Sequence, residues 1–293
     1  MRLIPWGLLL GFFFPAFLHA QCGKDHRSNK DAGILISDFT ISGTQAIGAT
    51  EIARITSDFI GACFDEDSDE MEERVRASFQ DRGYFTVKVE SMEFKPRDPL
   101  DVPKPVMLEA EISEGPRYKL GEITFTDNHA LSSKKLREQF PLKRGDLFER
   151  GRVGAGLESL RNLCVTQGFL NFSAVPETTF ASNAIANLNI SIEEGPQYHM
   201  GKLGIVAEKE TAARLHAEWK LTEGAVYDQS YIDRYLDTNR DLLPVGFSRA
   251  DVQTIQNCPD AVVEVRIMVD PAKDESHAEM KNIPCEKHDE VRK

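Results

Sequence analysis

Side chains that could do chemistry are few in this sequence, and they are scattered. Cys285 and His288 stand three residues apart, a spacing that two metal ligands can share. A structural zinc site needs four donors, and no second pair accompanies these two, so a solvated pair in a charged tail is the plainer reading. His129 follows Asn128 in a run of turn residues and reads as a surface turn. The carboxylates between Glu66 and Glu73 stand where a helix begins, and there they complement the helix dipole without holding a cation. No His-Glu-x-x-His, Gly-x-Ser-x-Gly or phosphate-loop pattern occurs. The expectation is a protein with no catalytic residue, no cofactor and no metal.

The five cysteines divide by context. Cys63 occupies a slot that Leu147 and Val226 fill in related segments, and Cys164 lies on an apolar helical stripe, so both read as small buried hydrophobes. Cys22, Cys258 and Cys285 fall in loops or tails, and the sequence leaves open whether Cys258 and Cys285 pair. An oxidising compartment would permit it. Residues 1–20 point to such a compartment: Arg2, an apolar run over 3–17 and a small residue at Ala20 read as a signal peptide cut after Ala20. Pro5 and Pro15 speak against an uncleaved anchor, and Gln21 is too large for a lipid-attachment site at Cys22. No other segment approaches the roughly 18 apolar residues of a membrane helix. The formal net charge of −12 repels phosphate backbones and anionic lipid alike. Nucleic acid is thus excluded as a partner, and membrane contact is expected only through another protein.

Repetition organises the rest. Ile112-Ser113-Glu114-Gly115-Pro116-Arg117-Tyr118-Lys119-Leu120-Gly121 returns as Ile192-Glu193-Glu194-Gly195-Pro196-Gln197-Tyr198-His199-Met200-Gly201, identical at six of ten positions. A second signature occurs three times, as Gly61-Ala62-Cys63-Phe64-Asp65, Gly145-Asp146-Leu147-Phe148-Glu149 and Gly224-Ala225-Val226-Tyr227-Asp228. Each is followed at nearly equal distance by Gly-aromatic: Gly83-Tyr84, Gly168-Phe169 and Gly246-Phe247. The chain is a triplicated unit.

Between the two glycines the apolar period is helical. Val153, Leu157, Leu160 and Cys164 share a face in the second copy, Met71, Val75, Ser78 and Phe79 in the first, and Tyr231, Tyr235 or Leu236, and Leu242 in the third. Ser68 reads as an N-cap, and the closing glycine suits a left-handed C-cap. Beyond it the period becomes two, with a phase shift at Ser91 that suggests a bulge. The cleanest alternation is in Val106, Leu108, Ala110 and Ile112, repeated by Ala186, Leu188, Ile190 and Ile192 and by Val263, Val265, Ile267 and Val269. A further strand and short helix precede each signature: 118–126 and 132–140 in the second copy, 35–41 and 47–60 in the first. The predicted fold is α+β, three tandem β-α-α-β-β units, each with two helices on a three-stranded mixed sheet.

That order, with the Glu-Gly-Pro-x-Tyr-x-x-Gly junction and the Gly-x-x-aromatic loop, resembles the POTRA (polypeptide-transport-associated) family over about residues 33–270. The likeness is strongest in the second copy. The predicted organisation is signal peptide 1–20, linker 21–32, POTRA-like domains 33–115, 116–196 and 197–270, and a disordered tail over 271–293. Family members precede a membrane barrel in BamA-type and TamA-type outer-membrane assembly proteins. No barrel pattern follows Asp270 here, which leaves open a stand-alone or a barrel-truncated protein. The resemblance implies an exported, periplasmic scaffold, with or without outer-membrane association. Its implied partners are unfolded outer-membrane protein precursors or barrel-assembly subunits. A structural spacer that only sets reach is the rival, and oligomeric state is not legible.

In the family the strand after the long helix lies at the sheet edge, where unpaired backbone groups can take an extended peptide. By sequence these strands are 85–90, 169–175 and 250–255. The candidate peptide-binding residues are Thr86, Lys88 and Glu90; Phe169, Asn171, Ser173 and Val175; and Val252 and Thr254. The middle strand is preferred, because Asn171 and Ser173 carry no charge.

Overall fold

A computed structural model of the chain describes residues 34–64, 68–97, 104–273 and 282–285. The proposed signal peptide, Cys22, the side chain of Cys63, Glu66 and His288 lie outside the described parts. Two compact units divide at Arg117 and Tyr118. The first holds β1 (Ile34–Ser42), α1 (Ala49–Ser57), β2 (Cys63–Phe64), α2 (Ser68–Gln80), β3 (Lys88–Pro96) and β4 (Lys104–Ser113). The second holds two further copies of the plan. One is β5 (Lys119–Thr126), α3 (Ser133–Arg137), α4 (Arg150–Thr166), β6 (Ser173–Ala181) and β7 (Ile185–Glu193). The other is β8 (His199–Val206), α5 (Lys209–Glu218), α6 (Tyr231–Thr238), β9 (Val252–Asn257) and β10 (Val262–Met268).

The three sheets run β2-β1-β4-β3, β5-β7-β6 and β8-β10-β9. In each, the last strand is central, parallel to the first and antiparallel to the strand before it. The alternation predicts this position, since a central strand needs one fully apolar face. Val106, Leu108, Ala110, Ile112, Ala186, Leu188, Ile190, Ile192, Val263, Val265 and Ile267 are all buried. Each full burial of Val, Leu or Ile is worth about 1.5–3 kcal/mol. Val269 lies past β10 and is half-buried.

The Gly-x-x-aromatic signature has one structural role in all three copies. Gly61, Gly145 and Gly224 sit at φ +85°, +88° and +80°, which only glycine adopts freely. Their N–H groups donate to the carbonyls of Ile36, Leu120 and Met200 on the first strand of each sheet. The loop thus adds a short antiparallel rung beside that strand: β2 in the first copy, and Lys119–Leu147 and His199–Val226 bridges in the others. Phe148 and Tyr227 then turn into the core, fully buried.

The junction glutamates serve a second repeated purpose. Glu114 accepts from the N–H groups of Gln45 and Ala46 at 2.7 and 2.6 Å. Glu194 accepts from His129, Ala130 and Leu131, with its shortest bonds, at 2.8 and 2.9 Å, from Ala130. Each ties the end of the central strand to the loop after the first strand. His129 therefore contributes its backbone.

Boundaries differ from the sequence reading by a few residues. The helix expected over 47–60 is α1, Ala49–Ser57, and that over 132–140 is α3, capped by Ser132. α2 begins at Ser68 itself. Leu242 falls in a separate 3-10 turn after α6. The bulge near Ser91 is present, with Glu90 as the extra residue between Val89 and Ser91.

Candidate polypeptide-binding sheet edges

β3, β6 and β9, the strands that follow the long helices, each lie at one end of their sheet. All three begin later than the sequence indicates, because the turn after each closing glycine takes up several residues. Gly83 and Gly168 close their helices at φ +92° and +83°, and Gly246, at φ +89°, lies in the Pro244–Phe247 turn beyond the third copy's helix. Phe169 then folds back into the core, and Asn171 precedes the strand. Thr86 likewise lies ahead of β3, beside Gly115, where a Cβ added to the glycine would stand 2.6 Å from the Thr86 hydroxyl.

β3 is a poor platform for a strand. Lys88, Glu90, Glu93 and Lys95 are exposed along it, and the Glu90 bulge interrupts its register. Lys95 pairs with Glu109 on β4 and with Glu93, and the Glu109 contact is the main cause that raises its pKa. Charge and bulge are two recognised ways of blunting an edge.

β6 is different. Glu177 is its one charged residue, and Val175 and Phe180 are exposed apolar side chains. Among the described residues β6 pairs only with β7. The direction of its backbone groups follows from the other side of β7. Lys119 N–H donates to the Ala184 carbonyl, which turns the even-numbered groups of β7 toward β5 and the odd-numbered ones toward β6. Through the Ser173–Glu193 register, residues 173, 175, 177 and 179 of β6 bond inward, and Ala174, Pro176, Thr178 and Phe180 face outward. Pro176 has no N–H to lose and is tolerated on that outer side. Ser173, a candidate for contact, bonds inward to β7; Ala174 and Thr178 present outward donors.

β9 carries both of its candidate residues, Val252 and Thr254, but its outer side is largely used. Arg249 donates to the Val252 carbonyl at 2.8 Å. Asn282 and Ile283, from the chain's own tail, bond to Gln256, and Ile283 forms a parallel bridge with Asn257. Cys285 of the same segment is disulfide-bonded to Cys258, with a Cα–Cα distance of 4.8 Å. The pairing left open by the sequence is thus formed. Asn171 meets this disulfide: its Nδ2 donates to Tyr198 Oη at 3.0 Å and approaches Cys285 Sγ at 3.2 Å. Asn171 is a junction residue between the second and third sheets.

Reactive chemistry is sparse among the described residues. The Cys164 thiol is fully buried, and burial, with the Glu194 charge adding to it, pushes its pKa up to about 12. Such a thiol stays protonated and unreactive. Burial similarly pushes the Tyr227 hydroxyl to about 12. Among the described residues no group of three or more His, Cys, Asp or Glu could hold a metal ion.

Comparison with known proteins agrees with this architecture. The family model for the surface antigen variable number repeat, POTRA, matches residues 118–195. A putative outer membrane protein assembly factor of Treponema pallidum is 24% identical over 213 residues, 71% of this chain and 25% of that protein. The outer membrane protein assembly factor BamA of Neisseria meningitidis is 20% identical over 185 residues, 57% of this chain and 23% of that protein. This chain therefore spans about a quarter of the length of those relatives. The crystal structure of Haemophilus influenzae BamA POTRA3-5 superposes with a TM-score of 0.55 at 14% identity, covering 80% of this chain and 94% of that one. The second β-α-α-β-β copy thus matches the POTRA family model over residues 118–195, and the chain as a whole shares the fold of BamA POTRA3-5.

Proposed function

We propose that the chain is a periplasmic scaffold in outer-membrane protein assembly or polypeptide transport, and that it binds extended polypeptides as added strands on its sheet edges. The open outer side of β6 carries this reading. That strand offers outward N–H groups at Ala174 and Thr178 with a single charge nearby, which suits main-chain pairing with many sequences. The names of the relatives, both assembly factors, support the pathway. Extended precursor segments and assembly subunits are the partners, and no reaction is involved. A spacer role suits the first unit better, because the charged, bulged β3 resists an incoming strand.

Thr178→Pro tests the proposal. It removes an outward donor at a position equivalent to Pro176, so the β7 ladder stays whole. Binding of a labelled ten-residue peptide of alternating valine and threonine, with lysine at each end, is read by fluorescence anisotropy. Affinity should fall about tenfold, with one donor lost and the approach obstructed, while circular dichroism stays unchanged. Undiminished affinity in folded Thr178→Pro would exclude pairing at β6.

A further inference from the structure

The outer side of β9 already holds a strand, supplied by the chain itself. Ile283 N–H donates to the Gln256 carbonyl at 2.9 Å, and Cys258 N–H donates to the Ile283 carbonyl at 3.0 Å. Gln256 N–H donates to Asn282 Oδ1 at 2.9 Å. Ile283 thus sits opposite Asn257 in the position of a neighbouring parallel strand. Its side chain is exposed and the segment's four residues all face solvent, so backbone bonding and not apolar burial holds it.

Those bonds alone do not hold it in place. Three hydrogen bonds offset less than the conformational entropy lost in ordering four residues. The Cys258–Cys285 link makes up the difference by keeping the segment at high local concentration beside β9. Cys285 is exposed and Cys258 is buried, so an external thiolate reaches the Cys285 sulfur first.

We propose that β9 is a second strand-binding edge, kept closed by Asn282–Cys285, and that it takes an extended polypeptide parallel to β9 once the Cys258–Cys285 link opens. This rests on the edge-pairing reading given above. Opening is a thiol–disulfide exchange with a dithiol reductant. The thiolate of the dithiol attacks Cys285 Sγ and Cys258 leaves as a thiolate. The second thiol then displaces Cys285, and the reductant departs as its own disulfide. Two electrons and two protons pass to the cysteines. The incoming strand replaces Asn282 and Ile283 and bonds the Gln256 N–H and carbonyl and the Cys258 N–H.

The experiment uses the full chain carrying Thr178→Pro, which removes the β6 contribution, and the same valine–threonine peptide. Oxidised protein should bind it weakly. Treatment with excess dithiol, or Cys285→Ser, should tighten binding at least tenfold and slow amide exchange at Gln256 and residue 258 when peptide is present. Ile283→Pro keeps the disulfide and deletes one tail bond, so it should give a smaller gain and covers a Cys285→Ser chain that does not fold. Equal binding by oxidised and opened forms overturns the proposal, as does a gain without slowed exchange on β9. Peptide-dependent exchange at Thr178 in the unsubstituted chain reports on β6 separately, so failure at one edge is distinguishable from failure at the other.

Discussion

Gly168→Ala probes why the second and third sheets share one compact unit. Gly168 sits at φ +83°, where an L side chain costs about 1–2 kcal/mol. An added Cβ would also lie 2.6 Å from the Tyr198 carbonyl oxygen and 3.1 Å from Val226 Cγ1. Tyr198 N–H donates to the Gly168 carbonyl at 2.8 Å, so the linker cannot withdraw without breaking that bond. Relieving the overlap adds about 1–3 kcal/mol, for a total of about 2–5 kcal/mol. Gly246→Ala is the control, because φ is +89° and a Cβ there meets open space; only the first part, about 1–2 kcal/mol, applies. The probe is Trp219, whose ring packs on Tyr231 and Tyr235 in the third core. In a Trp6→Phe background it is the sole tryptophan. With a urea slope of about 1–3 kcal/mol/M, the Gly168→Ala midpoint should fall by about 1–2 M, and more than that of Gly246→Ala. An unmoved Trp219 transition alongside a shifted far-ultraviolet one would mean that the two sheets unfold independently. Equal shifts for the two glycines would mean that the Tyr198 contact contributes nothing.

Burial alone would raise the Glu114 carboxyl, but the N–H groups of Ala46, Gln45 and its own residue outweigh it and hold it below its ordinary 4.5. Its contribution is therefore complete above the unfolded value and is lost as pH falls through the lower folded one. Glu114→Gln should cost about 1–2 kcal/mol at pH 7, a gap from the unsubstituted chain that closes toward pH 3 in thermal melts; a constant gap would refute the charge assignment. Iodoacetamide at pH 8 should leave Cys164 unmodified in the folded chain and modify it in urea, and mass spectrometry reads the difference. Modification of the folded chain would show that the thiol is accessible.

The central strands were legible because a single buried face imposes strict alternation, as in Ala186, Leu188, Ile190 and Ile192. The glycines were legible as a repeat, and helix capping accounts for the positive φ of Gly83 and Gly168, whereas Gly246 takes it in a turn past α6. Edge-strand starts were not. Phe169 and Phe172 continue an apolar run yet are buried through a turn, with Phe172 N–H bonding the Phe169 carbonyl at 3.3 Å. Periodicity cannot separate such a turn from a strand. Pro176 was a readable signal of an edge and of its outward side. The tail on β9 had no sequence signal, because its short stretch of bonds depends on a disulfide formed only by the tertiary fold.

Amide hydrogen exchange of the unsubstituted chain, with and without the valine–threonine peptide, tests edge pairing most directly. At least tenfold slowing is expected at Thr178, whose N–H faces outward, and none at Val175, Glu177 and Thr179, which already bond β7. Unchanged exchange at Thr178 with peptide bound, or slowing confined to α3 and α4, would contradict edge pairing.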